Sequence, residues 1–241
     1  MCTVTYLPVK EGFVLTHNRD EAPTRSPKQL TRLETDAGTL LFPRDTKAGG
    51  TWIATGAGGK TACLLNGAFE KHAHQPPYRR SRGLVLLDFL ASDTSDLFLA
   101  QSDFEGIEPF TLLSFSPQQV TEFRWDGHQK HLRSLPSDQP HFWCSATLYP
   151  AHVRARREQV FRDWLAQQPE TPNPEQLLAL HHQGSVGDPE NDYVMDRAGR
   201  VKTVSITQIV YCDTQTTLRY FDLLEHTEDS EVLKFVNLLI C

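Results

Sequence analysis

Long apolar runs are missing from this sequence, and none approaches the roughly eighteen residues that a bilayer-spanning helix needs. The N-terminus lacks the basic stretch and apolar core of a secretory signal, so none is expected. Cysteine is sparse. Cys2, Cys63, Cys144, Cys212 and Cys241 are widely separated, odd in number and free of Cys-x-x-Cys spacing. That pattern argues against a disulfide framework or a zinc site and for reduced cytoplasmic thiols. No metal or organic cofactor is expected. Basic charge is in deficit, with 24 Lys and Arg against 30 Asp and Glu and a net charge of −6. This argues against a general nucleic-acid surface while leaving room for a local basic face. The run Gly56-Ala57-Gly58-Gly59-Lys60 lacks the spacing and the following helix of a phosphate loop. Internal repeats, low-complexity tracts and domain boundaries are absent, so one α+β domain over residues 1–241 is the economical reading.

What the sequence does contain starts at its second residue. Cys2 has a side chain small enough for an aminopeptidase to remove Met1, which would leave a thiol and a free α-amine on one residue. A thiol titrates near 8.5 and an α-amine near 7.7–8.0, so the amine can take the thiol's proton near neutral pH. That is a nucleophile carrying its own base. Cys2-Thr3-Val4-Thr5-Tyr6-Leu7 reads as a strand, Pro8 to Gly12 as a turn, and Phe13-Val14-Leu15-Thr16 as a second strand. A fold about Val9-Lys10 predicts pairs whose numbers sum to nineteen or twenty, placing Cys2 opposite His17-Asn18 with Arg19 and Asp20 just beyond. Asp20 would then reach the terminal ammonium, and Asn18 and Arg19 would orient groups around the sulfur. The same pattern also describes a plain edge hairpin with a buried thiol.

Met1-Cys2 followed by Asn18-Arg19-Asp20-Glu21 resembles the NRDE family, which includes the transport-and-Golgi-organisation proteins. The resemblance continues in order through Gly49-Gly50-Thr51-Trp52, Leu65-Asn66-Gly67, Ser81-Arg82-Gly83, Ser145-Ala146-Thr147-Leu148-Tyr149 and Thr203-Val204-Ser205-Ile206-Thr207. That family is similar in turn to N-terminal-nucleophile hydrolases of the penicillin V acylase and bile-salt hydrolase group. The resemblance implies a four-layer αββα sandwich with the nucleophile at the start of a central strand. It also implies catalytic roles for Cys2, Asn18, Asp20 and Asn66, with Asn66 as oxyanion donor.

Three positions depart from the wider pattern. Ala146 stands where a second oxyanion asparagine is expected, His17 where the choloylglycine group has an arginine, and Val204 near that group's late arginine. Arg19, Trp52, Ser145, Thr203 and Ser205 are candidate substrate contacts. Each of three positions has a plainer alternative: Trp52 as sheet packing, Asn66 as a turn asparagine, and the Thr203/Ser205/Thr207 hydroxyl stripe as an exposed sheet face.

The rest of the chain supplies the framework. Residues 22–44 read as irregular structure with at most a short strand at Thr39-Leu40-Leu41-Phe42, and residues 49–65 as a hairpin. His72 and His74 sit in a polar loop without a third metal ligand nearby. Ser81 opens a helix, a second short helix follows Asp93, and residues 110–135 form a meander. The chain turns helical after Pro150, breaks over residues 167–174, and resumes a short helix through His182. Residues 184–200 are a polar loop expected to overhang the site as a lid. After the strand at 202–211 and a hairpin turn, an acidic break at 225–231 precedes an apolar end at 232–240.

The leading expectation is an N-terminal cysteine hydrolase of non-peptide amides acting on a small-molecule amide or acyl substrate. The alternative is a non-catalytic carrier of a small hydrophobic ligand, haem or lipid, in the same pocket. Homo-oligomerisation is left open.

Overall fold

A computed structural model describes residues 2–92 and 94–235. Two antiparallel sheets of seven strands each carry the fold. In the first, the order is β10 (His141–Cys144), β1 (Cys2–Val9), β2 (Gly12–Glu21), β12 (Val201–Cys212), β13 (Gln215–Asp222) and β14 (Thr227–Lys234), with the two-residue β11 (Asp196–Arg197) paired to β12. In the second, β3 (Leu30–Thr35), β4 (Gly38–Pro43), β5 (Ile53–Gly56), β6 (Thr61–Asn66), β7 (Phe110–Phe115), β8 (Val120–Trp125) and β9 (Lys130–Leu135) follow chain order. The helices are α1 (Arg82–Ala91), α2 (Ser95–Gln101), α3 (Ala151–Ala166) and α4 (Pro174–Gln183).

One apolar cluster draws on both sheets: Val4, Tyr6, Phe13, Leu15 and Ile209 from the first with Leu41, Ile53, Cys63, Leu65 and Phe115 from the second. The Tyr6 ring stacks on Phe115 with centroids 5.5 Å apart, and Phe13 stacks on Tyr211 at 5.1 Å. Such aromatic pairs add about 0.5–1.5 kcal/mol each beyond their burial. A second cluster packs Val85, Leu86, Phe89 and Leu90 of α1 against Leu40, Phe42, Ala54, Ala62 and Leu64. The third joins Phe161 of α3 and Leu177 and Leu180 of α4 to Leu7 and Val14. Each sheet therefore uses the period-two alternation of its strands to feed two different cores. Pro174 opens α4 behind a capping box in which Asn173 and Gln176 exchange side-chain-to-backbone bonds.

Several expectations change. Residues 22–44 hold a full hairpin, β3 with β4, because the prolines bracket the strands rather than interrupt them. The acidic segment 225–231 is not a break: Thr227–Lys234 forms β14 against β13. Its acids are carried on an edge strand, where charge is compatible with a ladder bonded on one side only. Most of the expected apolar end, residues 236–240, lies outside the described residues. Ser81 stands at the N-cap of α1, but its side chain makes no capping bond. The 184–200 loop is no lid over Cys2, since its Tyr193 is buried in the cluster under α3 and α4.

Candidate active site

The β1–β2 register decides what surrounds the sulfur. Lys10 and Glu11 make the turn, and paired residues sum to twenty-one: Cys2 faces Arg19, Thr3 faces Asn18, and Val4 faces His17. The prediction of nineteen or twenty is therefore short by one or two. A slip of one residue exchanges the faces of a strand, so the correction has chemical consequences. Cys2 and Arg19 share one face of the sheet. Asn18 and Asp20 share the other.

On the Cys2 face lies a cavity of about 90 Å³, lined in part by Cys2, Arg19, Trp52, Asn66, Arg25 and Arg82. The guanidinium of Arg19 lies 3.7 Å over the Trp52 ring and pairs with Asp45. Arg25 reaches the same Asp45 at 2.8 Å and Glu21 at 2.8 Å. Asp45 also accepts the N–H groups of Lys47 and Ala48, and these bonds with the two arginines overcome its partial burial and lower its pKa. Burial pushes the Cys2 thiol up, Asp20 adding to the shift and Arg19 opposing it. Cys2 itself is only 2% exposed.

Asp20, fully buried, accepts from the hydroxyls of Tyr149 at 2.8 Å and Thr203 at 2.7 Å. Burial raises its pKa, against the opposing pull of Arg157 and these two hydroxyls. The Arg157 guanidinium lies 4.3 Å over the Tyr149 ring and donates to Thr3 Oγ1. Asn18 faces the helices: its Nδ2 donates to the carbonyls of His181 and Tyr193, and its Oδ1 sits 2.5 Å from His181 Nδ1. These contacts occupy the Asn18 amide away from the cavity, so the structure does not bring it to the sulfur.

Ser145 ties the site together without lining the cavity. Its N–H donates to the Cys2 carbonyl at 2.9 Å and its hydroxyl to the Asn66 carbonyl at 2.8 Å. Asn66 itself lies on the cavity wall. The expected hydroxyl stripe is broken by an irregularity in β12 between Thr203 and Ser205. Thr203 stays on the Asp20 face, while Ser205 and Thr207 move to the face of Arg19 and His17. Neither Thr203 nor Ser205 lines the cavity.

Two glycine motifs also become intelligible. A Cβ at Gly50 would stand 2.4 Å from the carbonyl carbon of Gly83, so the start of α1 crosses the chain where neither side has room. Gly67 has φ +84 and lies against Thr147. The sequence reading missed Arg25, Asp45 and Arg157. Asp45 is the carboxylate shared by Arg19 and Arg25, a pairing visible only once the chain is folded, and Arg157 is buried at one position of a helix whose sequence does not mark it out. Among the described residues, no group of three His, Cys, Asp or Glu side chains is placed to hold a metal ion, and no helix is long and apolar enough to cross a membrane.

A sequence profile described as Transport and Golgi organisation 2 matches residues 1–220. No curated protein matches the chain. Among solved structures, it is similar to a Caenorhabditis elegans N-acylethanolamine-hydrolyzing acid amidase ortholog, with TM-score 0.61, 8% identity, and coverage of 87% of this chain and 92% of that one. It is also similar to a cysteine-to-alanine mutant of conjugated bile acid hydrolase from Clostridium perfringens, with TM-score 0.56, 10% identity, and coverage of 98% and 97%. An arginine-to-leucine variant of the same hydrolase gives TM-score 0.57 at 10% identity, over 99% and 100% of the two chains. These likenesses establish an N-terminal-nucleophile hydrolase fold.

Proposed function

The chain belongs to the Transport and Golgi organisation 2 family, and we propose that it is an N-terminal cysteine hydrolase of small-molecule amides, active once Met1 is removed. One observation carries the reading: Cys2 opens an interior strand of its sheet and shares a cavity with Asn66, while Ser145 bonds both backbones. The helices packed beside each sheet support a four-layer αββα arrangement.

In this mechanism the Cys2 sulfur attacks the amide carbonyl carbon and its own α-amine takes the thiol proton. The negative charge that develops on oxygen is met by the Asn66 amide, a kind of donor that contributes about 10²–10³ in rate. The C–N bond then breaks, the ammonium returns its proton to the departing amine, and a thioester remains on Cys2. Water attacks that thioester and releases the acid. Asp20 positions the ammonium from the far side of the strand, held in turn by Tyr149 and Thr203. Asn18 braces β2 against α4 and takes no part in the chemistry. Arg19, stacked on Trp52 and paired with Asp45, shapes the wall.

The carrier alternative fits less well, because a cavity of about 90 Å³ walled by Arg19, Arg25, Arg82, Glu21 and Asp45 is too small and too charged for haem or a lipid chain.

The test is intact mass before and after an acyl-amide probe. The wild-type chain should lack Met1 and gain one acyl group, and Cys2→Ser should gain none. Retention of Met1, or equal labelling of both chains, overturns the proposal.

A further inference from the structure

The Cys2 cavity also constrains the acyl group of the substrate, an inference that rests on the hydrolase reading. Its size is limiting. At about 90 Å³ it suits a small polar group and not a long chain or a fused ring system.

Its chemistry is one-sided. The carboxylates on its wall are already engaged: Asp45 by Arg19, Arg25 and two backbone N–H groups, and Glu21 by Arg25 and the N–H of Ala22. Glu108, next to the cavity, is taken up by Arg82 at 3.0 Å and His72 at 3.0 Å. Donors are left over. Trp52 is 6% exposed and its indole N–H has no acceptor, and neither has the buried Nε–H of Arg25. Both residues line the cavity. Ser81, Arg82 and Gly83 line it too, so the first turn of the ten-residue α1 opens onto it. The N–H groups of a helix's first turn lack intrahelical acceptors and favour an anion. A buried donor without an acceptor costs its full desolvation, and a carboxylate bound in the cavity would bring acceptors to this wall.

We infer that this cavity takes a short acyl group ending in a carboxylate, so that the substrate is a half-amide of a small dicarboxylic acid. The carboxylate belongs on the acyl side because the acyl group stays on the Cys2 sulfur until water releases it. The amine leaves first and needs the open side of the site. Arg25 and Trp52 are then the residues that set specificity.

The test uses the full chain as Cys2→Ala, which binds without turnover, and isothermal titration calorimetry with succinamate, its uncharged isostere succinamide, and N-acetylglycine. Succinamate should bind at least tenfold more tightly than either of the others. That advantage should fall to threefold or less when Arg25→Gln is added, and affinity for succinamate should drop severalfold with Trp52→Phe. Circular dichroism establishes that each variant is folded. Equal affinity for succinamate and succinamide, no binding of succinamate, tighter binding of N-acetylglycine, or an undiminished advantage in both variants overturns the inference. Ammonia release from succinamate by the wild-type chain reports separately on hydrolysis. Binding without release keeps the anion site and removes the hydrolase.

Discussion

Replacing Gly50 by alanine tests whether the contact between Gly50 and Gly83 holds the cavity wall in place. The added Cβ would lie 2.4 Å from the Gly83 carbonyl carbon and 2.6 Å from the Leu84 nitrogen, where ordinary contact begins at 3.4 Å. The shortfall, 3.4 − 2.4, is 1.0 Å, and backbone stands on both sides of it. The start of α1 must move away, which strains or breaks the Thr51 N–H bond to the Gly83 carbonyl, 3.2 Å long. Overpacking of this kind costs about 1–3 kcal/mol, and the lost hydrogen bond about 0.5–1.5 kcal/mol. A total of about 2–4 kcal/mol lowers Tm by about 4–16 °C in a chain of this length. Gly49→Ala is the internal control. It has φ +72 but nothing within 4 Å of the new Cβ, so only the left-handed backbone penalty of about 1–2 kcal/mol applies. Differential scanning calorimetry of both variants decides. A Gly50→Ala chain that melts within a degree of wild type, or above Gly49→Ala, refutes the reasoning.

The buried charges give two further outcomes. His181 is fully buried, and burial, assisted by Arg157 and His182, lowers its pKa to about 3 from an ordinary 6.5. The unfolded chain therefore takes up a proton below pH 6.5 that the folded chain refuses. The stability this group contributes is complete above 6.5 and lost as the pH falls toward 3, at about 1.4 kcal/mol per pH unit. Urea unfolding at pH 7 and pH 5 should show about 2 kcal/mol less of that loss in His181→Phe than in wild type, and equal losses would contradict the assignment. Arg19→Met strips a guanidinium from Asp45 and from the Trp52 face, while Arg25 stays on the carboxylate. The expected cost is about 3 kcal/mol, the low end for a broken buried pair, read as a lower urea midpoint; an unchanged midpoint would show that Arg25 alone suffices.

Much of the fold was legible because local pattern and burial agree. Among the described residues the four helices stand where apolar spacing puts them, and the β5–β6 hairpin and the β7–β9 meander follow their turn residues. The failures have physical reasons. Pro8 reads in the sequence as part of the turn, yet the strand runs on to Val9 because β10 pairs only with Thr3 through Tyr6, so Pro8 lies beyond the part of that edge that needs a donor. That longer strand moved the turn to Lys10-Glu11 and the register to Cys2–Arg19. The irregularity beyond Thr203 is invisible in a sequence that alternates perfectly through Ile206. Cys2, Asn66, Arg19 and Trp52, each singled out in the sequence as a catalytic or substrate-contact candidate, line one cavity. The division of Cys2 and Asp20 between opposite faces was not legible, because it depends on a one-residue register.

The bond from Ser145 to the Cys2 carbonyl has a consequence for the life of the chain. It fastens residue 2 from its C-terminal side, so the sulfur's position does not depend on what is attached to its nitrogen. Under the proposed mechanism, a chain that still carried Met1 would hold the sulfur through the same bond yet lack the free amine that takes its proton.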